Sequence, residues 1–476
     1  MSLVKEAKQG MVWTFLQQFS VQLINFIVQI AMARILLPSD YGLIAMLTIF
    51  ISVAQTLVDS GMTTSLIRTK NIEQSDYNTV FVTNLLISVG VYLIIFLISP
   101  LVGNFYDQPI LSDILKVYAL SFVINAFVAI HLAKFTKELN FKKQFMYQVP
   151  SNLISATAGF LFAYHGFGVW SLVYMNIIQS AVYVLMLWSF SGWRPKFQLN
   201  KEKFNYHFSF GYKLTLSGLL NTIYVNLYRI LIGKFYSPAQ VGFFTQADNM
   251  RNLPIMQLSN VLNKVTYPLF AKIEDDAQLK KAYKGVMAMV LSLSSLLMLG
   301  LLLVAKPLFL LLLGEKWLTS VPYFQILCIA SMMLPIGTYN LNILKVKGRS
   351  DLFLKVEVIK KVIGTVCLII AIPFGIQAIV WSLCITNIFF AYLNGYFSGR
   401  LINYLLPEQF KDSFKVIFIA IIPAIVIYFS LVKTDYFINN WLGIIVPGLL
   451  YAVSYVLLIF IFNRDLLVQY KKILKR

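Results

Sequence analysis

Along this chain, apolar runs of about 20 residues alternate with short polar breaks. Fourteen runs stand near 11–33, 41–58, 78–103, 111–133, 146–165, 168–189, 211–236, 239–262, 285–305, 321–344, 356–373, 375–397, 414–432 and 441–462. A helical crossing of a bilayer takes roughly 20 apolar residues. Each run therefore predicts one transmembrane helix, and the expected class is an all-α integral membrane protein with fourteen of them.

The breaks between runs repeat. Arg34, Pro38 and Gly42 close the first run and open the second, and a shift of 200 places Lys234, Pro238 and Gly242 in the same order. Proline stops one helix and glycine lets the next pack closely. Weaker echoes follow: Pro100 and Pro307 at a shift of 207, then Trp170-Ser171-Leu172 and Trp381-Ser382-Leu383 at 211. Six runs per block is an even number, so both blocks enter the membrane from the same side, as parallel repeats that commonly flank a substrate path. The expected organisation is a six-helix lobe over 1–200, a second over 201–398, and a terminal helix pair with a basic tail over 399–476.

Composition agrees: 58% of residues are hydrophobic and 13% charged, with a mean hydropathy of +0.73. Charge adds the topology. The net +20 would suggest nucleic acid in a soluble chain, but its placement argues otherwise. The N-terminus, the loops after even-numbered runs and the tail hold 28 basic residues, among them Lys134, Lys137, Lys142 and Lys143. The opposite loops hold five: Arg34, Lys234, Lys306, Lys316 and Lys433. Cytoplasmic loops carry such an excess, so both termini are expected in the cytoplasm and no nucleic-acid partner is expected. The first run is too long for a signal-peptide core.

Little in the chain suggests bond chemistry. Cys328, Cys367 and Cys384 lie inside runs and read as packing residues. His131, His165 and His207 show no metal-ligand spacing. There is no G-x-S-x-G, H-E-x-x-H or Walker A lysine motif. No catalytic residue, metal or cofactor is expected.

Polar stripes carry more. Gln18, Gln22, Asn25 and Gln29 recur at i, i+4, i+7 and i+11 in the first run, and Thr48, Ser52, Gln55 and Asp59 share that spacing in the second. Shifted by 200, the second stripe becomes Asp248, Asn252, Ile255 and Ser259. Such stripes glue helices together or face a hydrated lumen. Charges within runs are costly in lipid and point to protein or water. Asp248 and Arg251, at i, i+3, can pair on one helix; Arg229 in the seventh run is a second arginine for one acid. A guanidinium in a wet cavity can grip a phosphate bidentately, so Arg229 and Arg251 are the candidate phosphate ligands, with Tyr224 a candidate partner for sugar hydroxyls. Arg34, Lys116 and Lys213 lie nearer run ends and read as interfacial anchors.

The segment from Arg34 to Gly42, followed by Asp59-Ser60-Gly61-Met62-Thr63-Thr64-Ser65-Leu66-Ile67, resembles the opening of bacterial polysaccharide-unit flippases of the Wzx type. These belong to the multidrug/oligosaccharidyl-lipid/polysaccharide exporter superfamily. Arg229-Ile230-Leu231-Ile232-Gly233-Lys234, Gly242 to Asp248 with Pro254, and Val265 to Phe270 with Asp275-Asp276 are similar to that family's second half. The branch resembled is that of colanic-acid and teichuronic-acid export.

The resemblance implies two lobes around a cationic vestibule that opens alternately to each side. It also implies a polyprenyl-pyrophosphate-linked oligosaccharide as cargo, crossing the inner membrane for O-antigen, capsule or exopolysaccharide assembly. It leaves open coupling to H+ or Na+ and a polysaccharide polymerase as partner. One departure stands out: an acidic residue often precedes the arginine of span seven in that family, and Tyr228 stands there here, so any coupling role would fall to Asp248. Two rivals share the polytopic plan. A drug antiporter of the same superfamily would favour acids in the lumen, and a polysaccharide polymerase or ligase would need a large exterior loop, whereas 306–320 is short.

Overall fold

The computed structural model describes residues 3–433 and 440–462. The basic tail predicted beyond them, with Arg464, Lys471, Lys472, Lys475 and Arg476, lies outside the described residues. The chain divides into two compact units, Met1–Gly242 and Phe243–Arg476. Among the described residues every regular element is a helix.

The first unit contains α1 (Leu3–Ile35), α2 (Pro38–Asp59), α3 (Met62–Arg68), α4 (Gln74–Phe105), α5 (Ile110–Lys137), α6 (Phe141–Tyr164), α7 (Val169–Phe190) and α8 (Lys201–Phe235). Helix α9 (Pro238–Ala271) begins there and continues into the second unit. That unit adds α10 (Asp276–Leu303), α11 (Ala305–Leu312), α12 (Ser320–Ser331), α13 (Leu334–Val346), α14 (Ser350–Ala371), α15 (Ile376–Arg400), α16 (Leu406–Ile427) and α17 (Leu442–Phe462). Helix α8 belongs to the first unit because it packs against α2, α3 and α4.

Among the described residues, ten helical segments are long and apolar enough to cross a membrane: those of α1, α2 with α3, α4, α5, α7, α10, α12 with α13, α15, α16 and α17. Helices α6, α8, α9 and α14 occupy the other four predicted runs, but polar residues interrupt them. Length is no obstacle: α8 has 35 residues, about 52 Å at 1.5 Å per residue. Large apolar side chains such as Leu97, Leu101, Ile370 and Phe418 point outward, which in water would be an association hazard and in hydrocarbon is not.

The repeated motif acquires a physical meaning. At the start of α2 the Leu37 amide donates to the Asp40 carboxylate at 2.9 Å. At the start of α9 the Ser237 amide donates to Gln240 Oε1 at 3.1 Å. Proline follows at the first helical position both times, where its missing N–H costs nothing. The glycines then meet each other. A methyl group on Gly42 would overlap the Pro238 carbonyl oxygen, and one on Gly242 would overlap that of Pro38. The sequence predicts a glycine that admits a close neighbour; the neighbour is the other copy of the motif.

The first unit's interior centres on Met62, Leu66, Tyr77, Val80, Phe81, Ile130 and Ala133. In the second, a cluster of aromatic rings packs together. Tyr283 and Tyr339 stack with centroids 4.7 Å apart, flanked by Phe270 and Tyr404. The Tyr339 hydroxyl donates to the Tyr283 carbonyl at 2.7 Å, and that of Tyr283 donates to Asn340.

Candidate functional site

Helix α9 carries the charged pair. Arg251 Nε and Nη2 donate to Asp248 Oδ1 at 3.1 and 2.6 Å, and Nη1 donates to the Ser331 hydroxyl at 2.7 Å. The side chains of Arg251 and Asp248 are only 11% and 13% exposed. Positions i and i+3 place both groups on one helix face. Ser331 ends α12, just before the break at Met332 and Met333 that precedes Pro335 at the start of α13. Its own hydroxyl donates back to the Leu327 carbonyl at 2.7 Å. Arg251 and Asp248 are thus paired, with a serine as a third partner. Asn252 is half-buried beside the pair.

Helix α8 carries Arg229. It is half-buried, and its Nη1 donates to Asn226 Oδ1, one turn earlier, at 3.3 Å. Tyr224 is also half-buried. Arg229 and Tyr224 belong to the first unit; Asp248, Arg251 and Asn252 belong to the second.

Within the first unit, α2, α3, α5, α6 and α7 surround a cavity of about 510 Å³. Two sequence candidates line it: Gln55 and Asp59. The Thr63 hydroxyl donates to the Asp59 carboxylate at 3.0 Å. Most of the wall was not anticipated. Asn125, Asn176, Gln179 and Tyr183 are part of it, and the signal of the last three was available: they stand at i, i+3 and i+7, a spacing that also occurs in the first two runs.

The remaining candidates are dispersed. On α1, Gln18, Gln22 and Asn25 are exposed and Gln29 is half-buried; none of them is part of the cavity wall. Lys116 pairs with Asp113 at 3.2 Å and lies over the Phe96 ring. Lys213 is exposed beside the Tyr212 ring, and Arg34 is exposed in the last turn of α1.

One polar cluster combines residue types that the sequence did not connect. His207 Nε2 lies 3.0 Å from Asp76 Oδ1, and its Nδ1 lies 2.8 Å from the Ser65 hydroxyl. A carboxylate only accepts, so Nε2–H donates to Asp76 and the serine hydroxyl donates to Nδ1 of the neutral ring. Lys203 adds an ion pair to Asp76 at 3.2 Å. Ser65, His207 and Asp76 are at most 5% exposed, which leaves no room for a substrate at the serine. The cluster instead ties α3, α4 and α8 together.

The sequence pattern that defines the family described as "Polysaccharide biosynthesis protein" matches residues 31–322, more than half of the chain. The chain belongs to the polysaccharide biosynthesis protein family. Relatives in that field are similar over most of their length. The lipopolysaccharide biosynthesis protein WzxC of Escherichia coli (strain K12) is 26% identical over 363 residues, 76% of this chain and 74% of that one. The teichuronic acid biosynthesis protein TuaB of Bacillus subtilis (strain 168) is 21% identical over 440 residues, 92% and 91% of the two chains. The succinoglycan biosynthesis transport protein ExoT of Rhizobium meliloti (strain 1021) is 22% identical, covering 80% of this chain and 78% of that one.

Among solved structures, the lipid II flippase MurJ in an inward closed conformation superposes with a TM-score of 0.74 at 14% identity. The match covers 96% of this chain and all of that one. An inward-facing multidrug resistance MATE family transporter gives 0.61 at 14% identity, covering 82% and 96%. At such identity the likeness is one of fold. This polysaccharide biosynthesis family member is a multi-pass membrane protein with the helical fold of those transporters.

Proposed function

We propose that this chain flips a polyprenyl-pyrophosphate-linked oligosaccharide across the bacterial inner membrane by alternating access and changes no covalent bond. Family membership and transporter fold support the reading; so does the concentration of charge on the least apolar long helices. In it all fourteen runs cross the membrane, α6, α8, α9 and α14 presenting polar faces to protein or water. Residues 1–200 and 201–398 act as rocking lobes, with 399–476 appended and both termini cytoplasmic.

A pyrophosphate bearing sugars cannot enter hydrocarbon without replacement of its water. The observation that carries the proposal is the partly buried Asp248–Arg251 pair on α9, held by Ser331 of α12. Three donors of Arg251 are held in place, so its guanidinium is pre-oriented, yet a diphosphate offers stronger charge-assisted bonds than a serine hydroxyl. Substrate would then take over Arg251 donors from Ser331 and Asp248; Arg229 is the second proposed phosphate ligand. Asp248, relieved of its partner, becomes the group able to take up H+ or Na+. Tyr224, Asn252 and the stripe Gln18, Gln22, Asn25 and Gln29 would meet sugar hydroxyls as the lobes rock.

The test is flipping of a defined undecaprenyl-pyrophosphate oligosaccharide in proteoliposomes, with and without proton and sodium gradients. Arg229→Ala and Arg251→Ala, each checked for membrane insertion, should lose at least about tenfold in rate, the loss expected from one charge-assisted interaction. Full activity in both would overturn the phosphate role.

A further inference from the structure

The Asp248–Arg251 pair does not account for the first unit's cavity, whose wall has a different chemistry. No lysine, arginine or histidine lies on it. Its polar groups include the carboxamides of Gln55, Asn125, Asn176 and Gln179, the carboxylate of Asp59 and the phenols of Tyr118 and Tyr183. We propose that this cavity is a subsite for one or two uncharged sugar residues. The inference rests on the flippase reading for the source of the sugar, and it names a part of the cargo that the arginines do not address.

Four arguments converge. The volume, about 510 Å³, falls in the range of small-molecule sites. A carboxamide offers paired donors beside an acceptor, which matches neighbouring sugar hydroxyls, each of them donor and acceptor at once. An anion would find no countercharge and would face Asp59. A purely apolar guest would leave the amides without partners, at a desolvation cost.

The wall is also held in position. Gln179 donates to Asn152 behind it, and Tyr118 is hydrogen-bonded to Asn176. Groups already fixed lose little freedom when a ligand arrives. An independent observation points to a guest. Tyr183 is only 8% exposed, and its hydroxyl has no hydrogen-bond partner among the described residues. Buried hydroxyls are rarely left so without a reason. A sugar hydroxyl would satisfy it.

Tyr183→Phe separates a ligand role from a structural one. The hydroxyl makes no bond that folding would lose, so the variant should fold and melt like the wild type. The probes are cellobiose, lactose and maltose, followed by saturation-transfer NMR with the full chain in nanodiscs; inorganic pyrophosphate serves as competitor. Wild-type protein should bind at least one disaccharide, and pyrophosphate should not displace it. Tyr183→Phe should weaken that binding by about five- to tenfold, one hydrogen bond's worth, and Asn176→Leu should weaken it further.

Binding of no disaccharide, displacement by pyrophosphate, or unchanged affinity in Tyr183→Phe would each overturn the subsite. The two readings fail separately. If Tyr183→Phe and Asn176→Leu flip at the wild-type rate and no sugar binds, the subsite is wrong and the flippase stands. If sugars bind as expected while Arg229→Ala and Arg251→Ala both flip at full rate, the phosphate role fails and the subsite stands.

Discussion

The two units wall their cavities with different side chains. The first leaves a cavity whose wall includes amides, a carboxylate and phenols. The second brings Tyr283, Tyr339, Phe270 and Tyr404 into mutual contact, and the two cavities described in it are walled mainly by apolar side chains such as Leu299, Ile326, Phe414 and Phe418. Both also use an acid in the first turn of a helix to hold a neighbouring helix. In the first unit Asp76 of α4 holds Lys203 and His207 of α8. In the second, Glu408 of α16 holds Lys280 and Lys284 of α10. The first link is buried and the second faces outward.

Removing a ring should therefore be the most damaging change. Tyr283 is fully buried, and Tyr283→Ala deletes a stack, a donor to Asn340 and most of a side chain's volume. Large-aromatic-to-alanine changes in a packed interior cost about 3–5 kcal/mol. Thermal unfolding of the purified protein should show a large drop. Asn125→Ala, on the wall of the first unit's cavity, should stay within about 0.5 kcal/mol of wild type, as changes away from packed interiors usually do. Equal losses in the two variants would erase the contrast between the ring stack and the polar cavity wall.

How much of this was legible beforehand differs by feature. The helices follow from apolar runs, because a bilayer imposes one length on each crossing. The turn at Pro38 and its copy at Pro238 were legible too, since proline and glycine fix local backbone geometry. That Gly42 and Gly242 face each other was not: spacing along a chain carries no information about which copies meet. The Arg251–Asp248 pair was readable from i, i+3 spacing, whereas Ser331, 80 positions away, could enter only through the fold. The amides of α5 and α7 lay in plain helical stripes but carried no charge, and charge is what draws the eye in a membrane sequence. His207 was invisible for a related reason. Its partners Ser65 and Asp76 lie 142 and 131 residues away.

The buried link comes next in size. Asp76 accepts bonds from His207, from Lys203 and from the Glu73 amide, the last at 2.9 Å. Asp76→Ala leaves the imidazole N–H without its acceptor in an interior that water does not reach. Bonds to charged groups are worth about 1.5–3 kcal/mol, and Lys203, 28% exposed in its side chain, can recover part of its share by rehydration. A loss in that range, read by thermal unfolding, is expected. It should persist in high salt, because buried pairs are screened little. A loss that vanished in salt would mean the link is looser than its burial implies.

Glu408→Gln should be the mildest change. The carboxylate lies 2.7 Å from Lys284 and 2.8 Å from Lys280, with its side chain 38% exposed and the lysines about a third exposed. Ion pairs so open to solvent contribute about 0–1 kcal/mol. Two further contacts cushion the substitution. Lys284 keeps Asp412 at 3.1 Å, and the Tyr404 hydroxyl still donates to Asp412 at 2.7 Å, so α10 and α16 remain joined. The small deficit should shrink as salt is raised from low ionic strength, since screening acts first on exposed charge. A deficit as large as that of Asp76→Ala, or one indifferent to salt, would show that the second unit depends on this link as strongly as the first depends on its own.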